Sequence, residues 1–187
     1  MLTSTDFRGL LNKRFFQNFL PIPAFHKLYL EVGTPNFELP DVKNGVAVKL
    51  SDYKGKQPVI LAFTRIFTEK QYCPFCYPHI IELNDNYEKF VEKGAELLLI
   101  TSTDEDQSKI IVNDLGLKMP LLSNPSCTVF QRYGTGQSLG APLPAQFVLD
   151  QEGKLKFAHL FSFLDHNAGV DRLLEVLETS ASVPAEA

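Results

Sequence analysis

The sequence predicts an α/β fold built on one mixed sheet, and three observations carry that expectation. Two continuous apolar runs, PVILAFT at 58–64 and AELLLITS at 95–102, have the length and composition of strands buried on both faces. Each is followed by a stretch of helical periodicity, residues 74–93 and then TDEDQSKIIVNDLG. Two more strands, PLPAQFVLD and KLKFAHLF, face each other across the turn Asp150-Gln151-Glu152-Gly153 and lead into a closing amphipathic helix, AGVDRLLEVLE. Strand–helix–strand–helix–strand–strand–helix is the order of an α/β sheet with parallel and antiparallel members.

Taken from the N-terminus, residues 5–20 place Phe7, Leu10, Leu11, Phe15, Phe19 and Leu20 at helical spacing, and Pro21 and Pro23 end the run. Packing on its own domain is favoured for this helix over docking on a partner or a second copy of the chain, which would make a homodimer. Exposed apolar faces of that size are uncommon on monomers. NFELPDVKNGVAVKLSDYKGK then reads as two short strands turning at Asn44-Gly45. Within 74–93, Ile80, Leu83, Tyr87, Phe90 and Val91 form the inward stripe, and Gly94 stops the helix. Thr103 is the expected cap of the next helix, with three acids in its first turn. A helix-like SCTVFQRYG follows PLLSN, and TSASVPAEA reads as a frayed tail. The expected organisation is a helical extension at 1–24, one domain at 25–179 and a flexible tail at 180–187.

The 187 residues suit one domain, able to hide roughly two-thirds of its unfolded surface without disulfide staples. A net charge of −4 argues against nucleic-acid binding. No apolar run approaches the ~20 residues of a membrane helix, so no membrane insertion is expected. The N-terminus lacks the apolar core of a secretory signal, being interrupted by Arg8, Lys13, Arg14 and Gln17, which favours a cytoplasmic location.

Two of the three cysteines fall in QYCPFCYPHI. A buried strand, a loop and then Cys-x-x-Cys opening a helix is a specific context for thiol redox chemistry. Cys73 is expected at the N-cap and Pro74 at the first helical position, where a missing N–H costs nothing. The helix dipole and unpaired N–H groups then favour the Cys73 thiolate, the form that attacks disulfides. Cys76, nearly one turn on, can bond the same sulfur and resolve a mixed disulfide. Pro78 is expected to loosen the first turn, and the helix-start placement to leave Cys73 wet. His79 shares the Cys76 face as a candidate support for the thiolate, with a packed or solvated histidine the more ordinary reading. A zinc site from Cys73, Cys76, His79 and Cys127 is disfavoured, because Cys127 has no close-spaced partner. Haem attachment is excluded by Tyr77, which stands where the Cys-x-x-Cys-His motif requires histidine. Cys127 itself reads as a small half-buried residue; the alternative is a distant resolving or regulatory thiol.

The run TPNFELPDVKNGVAVKLSDYKGKQPVILAFTR, with YCPFCYPHIIEL, LLSNPSCTVFQRYG and GAPLPAQFVLDQEGKLKF, resembles the thioredoxin-fold superfamily. Its nearest likeness is the peroxiredoxin-like alkyl hydroperoxide reductase/thiol-specific antioxidant branch, over about residues 32–178. The resemblance implies a thioredoxin-like fold, a central mixed sheet flanked by helices, with the N-terminal hairpin and helical extension added. It implies that Leu143-Pro144 is a cis peptide facing the sulfurs, with the Leu143 backbone binding an extended disulfide-bearing peptide. The chain departs from the peroxiredoxin pattern Pro-x-x-x-Thr-x-x-Cys: Ile66 and Lys70 stand seven and three before Cys73, and Pro144 stands where an arginine is usual. Thr64, Arg65 and Thr68, in the longer loop TRIFTEKQY, are the candidates to replace those groups. Cys-Pro-Phe-Cys is also similar to the Cys-Pro-Tyr-Cys of glutaredoxins, which makes glutathione a candidate partner.

The resulting expectation is a thiol–disulfide oxidoreductase in which Cys73 attacks, Cys76 resolves and an external dithiol donor of thioredoxin or glutathione type resets the pair. No bound cofactor or metal is implied. The alternatives are a thiol peroxidase with Cys73 meeting the peroxide, and a redox-sensing adaptor that does not turn over.

Overall fold

A computed structural model describes residues 9–25 and 34–181. A short helix α1, Lys13–Gln17, is capped by the Asn12 side chain, which accepts from Phe15 N. It is far shorter than the predicted 5–20, of which Phe7 lies outside the described residues. The chain then makes hairpin β1 (Glu38–Asp41) and β2 (Val46–Lys49), a 3-10 turn at Leu50–Tyr53, and β3 (Val59–Phe63). A small hairpin, β4 (Ile66–Thr68) with β5 (Gln71–Tyr72), leads to α2 (Cys76–Asp85), α3 (Tyr87–Glu92) and β6 (Glu96–Thr101). Next come α4 (Glu105–Leu115), β7 (Leu121–Ser123) and α5 (Thr128–Arg132). The tiny hairpin β8 (Gln137–Ser138) and β9 (Ala141–Pro142) precedes β10 (Ala145–Leu149), β11 (Leu155–Leu160) and α6 (Val170–Ala181).

Seven strands form one sheet in the order β11-β10-β3-β6-β7-β1-β2. β3, β6 and β7 run parallel, and the other neighbours pair antiparallel. β3 and β6 pair from Val59↔Glu96 to Phe63↔Ile100, the two apolar runs lying side by side. Because side chains alternate across a sheet, each run feeds two cores. Ile60, Ala62, Leu97 and Leu99 meet Ile80, Leu83, Phe90, Ile111 and Leu173 from the helices of one face. Leu61, Phe63, Leu98 and Ile100 meet Phe130, Tyr133 and Phe147 on the other. Phe63 is the hub there, with ring centroids of Phe130 and Tyr133 at 5.0 and 5.1 Å.

Several boundaries move for local reasons. The predicted helix 74–93 is two helices, because the Asn86 side-chain amide and backbone N–H both donate to Glu82 O, at 2.8 and 3.2 Å. Asp104, not Thr103, caps α4, accepting from Gln107 N at 2.9 Å. Thr103 is instead buried, bonded to Thr101 and Ser108. PLLSN supplies β7, a strand too short to show alternation.

The described part of the extension is tied to the domain by backbone bonds, but Leu11, Phe19 and Leu20 of its predicted apolar face are exposed rather than packed. Ile22 and Gln137 exchange backbone bonds at 2.8 Å, Phe25 N donates to Gly134 O, and Gly140 N donates to Asn18 O. Gly136 is required beneath it, since a Cβ there would lie 2.5 Å from Ala24 N.

Candidate active site

β3 ends at Phe63, and the chain turns through Thr64 and Arg65 into the β4–β5 hairpin before reaching Cys73. The register of the sheet thus delivers the pair to the end of a central parallel strand. α2 starts at Cys76, two residues later than predicted, and Pro78 occupies its third position. Pro78 has no N–H to donate to Pro74 O, yet α2 runs through it to Asp85. The Cys73 carbonyl receives both Cys76 N and Tyr77 N at 3.0 Å, so helical bonding begins from Cys73 as the motif suggested.

The sulfurs are not wet: Cys73 is 3% and Cys76 1% exposed. Arg65 lies beside the pair and donates to Ser138 O and, at 3.4 Å, to Leu139 O. The two thiols move in opposite directions. Cys73 is pulled down to about 6, first by the Cys76 thiol donating to it, then by the N–H groups of Phe75 and Cys76 and the Arg65 charge, against the cost of burial. Cys76 is pushed up, because its proton is held by Cys73 and burial disfavours a second charge. Arg65 also bonds the Cys73 sulfur. One thiol is therefore ready to attack at neutral pH while the other keeps the proton.

His79 is buried with a ring nitrogen 2.9 Å from Ala168 O, and that burial lowers its pKa. Its hydrogen bond goes to the 161–169 loop. Pro74 is exposed on the rim. No cis peptide bond occurs among the described residues, so the bond joining Leu143 and Pro144 is trans. Leu143 N donates to Gly136 O at 3.0 Å, and that N–H is unable to bind a substrate strand. Trans is the lower-energy isomer by ~0.5–1 kcal/mol, and flanking backbone bonds hold the segment. Thr64 Oγ1 and Arg65 Nε are buried without a hydrogen-bond partner. Cys127, 1% exposed, lies apart under the extension, with Asn18 Nδ2 3.6 Å from its sulfur. Among the described residues no three His, Cys, Asp or Glu side chains converge as a metal site, and no helix is long and apolar enough to cross a membrane.

Sequence reasoning missed the polar network that ties the motif to β10 and to the loop before α6. Gln146, fully buried on β10, accepts from Ala168 N at 2.7 Å and donates to Asn167 Oδ1 at 3.0 Å; Asn167 Nδ2 donates to Phe75 O at 3.1 Å. The one signal for it was a glutamine inside the apolar strand AQFVL.

The AhpC/TSA family profile matches residues 32–158. The chain belongs to the AhpC/TSA family. This AhpC/TSA chain is 32% identical over 130 residues to the thiol-disulfide oxidoreductase ResA of Bacillus thuringiensis (strain Al Hakam), covering 69% of this chain and 68% of that one. It is 32% identical over 127 residues to the chloroplastic peroxiredoxin Q of Triticum aestivum, covering 67% of this chain and 56% of that one. The mitochondrial 2-Cys peroxiredoxin of Plasmodium falciparum superposes with a TM-score of 0.69 at 20% identity, covering 83% of this chain and 96% of that one. The AhpC/TSA protein thus has a thioredoxin-type fold, with its Cys-x-x-Cys pair at the end of a central strand.

Proposed function

We propose that this AhpC/TSA protein is a thiol–disulfide oxidoreductase working through Cys73 and Cys76. The observation that carries the reading is the split of the two thiols, Cys73 down to about 6 and Cys76 upward, with the Cys76 proton shared to the Cys73 sulfur. The Cys73 thiolate attacks a substrate disulfide; that S–S bond breaks and one substrate sulfur leaves as a thiolate. Forming the mixed disulfide removes the negative charge that held the Cys76 proton. Cys76 then loses it, attacks Cys73 Sγ and releases the second substrate sulfur, which takes up the proton. Two electrons pass to the substrate, and the new Cys73–Cys76 disulfide is reset by an external donor, either one thioredoxin-type dithiol or two molecules of glutathione that leave as its disulfide. Arg65 steadies the Cys73 thiolate, while Pro74 shapes the turn and His79 positions the neighbouring loop. Leu143 and Pro144 stay in the proposal through the Leu143 carbonyl alone, since its N–H is committed.

A second reading, thiol peroxidase, is favoured by one feature: a sulfur this buried, with a guanidinium on it, admits a small oxidant without rearrangement. Cys73 would then become a sulfenic acid that Cys76 captures with loss of water. The compartment proposed is the cytoplasm, where reduced donors abound. Cys76→Ser protein incubated with cell extract tests the choice. Protein adducts on Cys73 support disulfide exchange; Cys73 sulfenic acid after trace peroxide, with no protein adduct, would favour the peroxidase.

A further inference from the structure

The loop between β11 and α6 carries large apolar side chains that no described residue covers. Phe163 is 84% and Leu164 98% exposed, yet the loop is pinned on both sides. Asn167 bonds Phe75 O, and Ala168 bonds both Gln146 and His79. His166 stacks flat on Phe75, centroids 3.9 Å apart and planes 8° from parallel, and Phe161 packs against both His166 and Phe163. Phe75 is the residue between the two redox cysteines. The apolar ridge is therefore continuous with the redox motif and held in place by it.

The groove beside the ridge contains Pro74, Phe75, Leu164 and His166, and its acidic groups are Glu82 and Asp165; among the described residues no Lys or Arg lines it. Arg65, the cation nearest the sulfurs, is committed to Ser138 O and Leu139 O.

We infer that this ridge and groove dock an extended polypeptide segment whose apolar residues flank the exchanging disulfide, and that they discriminate against glutathione. The inference rests on the thiol–disulfide reading above. Exchange brings a foreign sulfur within a bond length, ~2.05 Å, of Cys73 Sγ, so the surface next to the motif is covered in every turnover. A sulfur 3% exposed is reached by an extended segment rather than by a flat protein face. Apolar side chains on that segment remove Phe163 and Leu164 from water. Glutathione offers two carboxylates and one ammonium; the groove repels the carboxylates with Glu82 and Asp165 and gives them no cation. A segment with Lys or Arg beside its apolar residues matches both features.

The test compares steady-state reduction of insulin, glutathione disulfide and hydroxyethyl disulfide by the full chain. Wild type is expected to favour insulin over glutathione disulfide in kcat/KM by about tenfold. In F163S/L164S, altered at solvent-exposed positions that the fold does not need, the insulin-to-hydroxyethyl disulfide ratio is expected to fall about tenfold, the loss lying in KM. Asp165→Lys is expected to speed glutathione disulfide relative to hydroxyethyl disulfide. Equal wild-type rates on insulin and glutathione disulfide, or an unchanged ratio in F163S/L164S, would overturn the docking surface while leaving the exchange reading intact. Sedimentation showing a wild-type dimer that F163S/L164S dissociates would assign the ridge to a second copy instead and overturn it too. If wild type reduces none of the three disulfides, the exchange reading falls and the docking inference with it.

Discussion

Cys73 and Cys127 each follow a strand, each stand just before a helix and are each almost fully buried, yet their thiols move in opposite directions. Cys73 is surrounded by donors: the Cys76 thiol, two backbone N–H groups and the Arg65 guanidinium. Cys127 is raised, above all by burial, with the Arg14 charge and the Asn18 amide only opposing that rise. Its backbone is left-handed at φ 58, and its own S–H points to Pro125 O at 3.8 Å, an acceptor that favours the protonated form. Arg14 spends its guanidinium on Ser102 O and Phe67 O. A helix start does not by itself make a thiolate. What decides is whether the donors converging on the sulfur outweigh the penalty that burial places on its charge.

Five measurements press on that contrast. The largest effect is expected from Cys73→Ser, which should drop disulfide reduction to background, while Cys127→Ser keeps most of the wild-type rate; comparable losses in both would erase the distinction. Next, alkylation of the native reduced protein should follow a midpoint near 6 for Cys73, the rate falling as pH drops through it, with Cys127 unreactive until denaturant is added. Because the folded value lies below the ordinary 9.0, this ionisation stabilises the reduced fold fully above the unfolded value. That contribution fades as pH falls through about 6, which denaturant titrations at pH 5 and 8 can follow. Cys76→Ala should then raise the Cys73 midpoint by about 2 units, because it removes the foremost donor. Arg65→Met is expected to raise it less, by about 1 unit, the guanidinium being a smaller influence. An Arg65 effect exceeding that of Cys76 would reverse this order of causes.

Much of the architecture was legible because it depends on patterns local to the chain. PVILAFT and AELLLITS are apolar along nearly their whole length, which only a doubly covered strand uses, and they became β3 and β6. Cys-x-x-Cys after such a strand located the redox pair for the same reason. Other features needed partners distant in sequence. The β4–β5 hairpin in TRIFTEKQY and the short β7 carry too few residues for a period to show. The trans bond at Leu143-Pro144 accompanies a Leu143 N–H already taken by Gly136 O, a contact that no reading of GAPLPAQF could supply. A helix-start position implies a wet Cys73, but in the folded chain Cys73 is buried with Arg65 of the preceding loop beside it.

By itself, then, the sequence determined that two sulfurs one turn apart would open a helix at the end of a buried strand, because spacing and apolar pattern act within a few residues. The tertiary structure decided which sulfur carries the charge, which thiol burial raises and what surface surrounds the pair. Those depend on Arg65 from the preceding loop and on Gln146, Asn167 and the extension, which arrive from remote parts of the chain. Solvation and hydrogen bonding at a sulfur are set by whatever lies within a few ångströms in space, and only the folded chain brings those groups there.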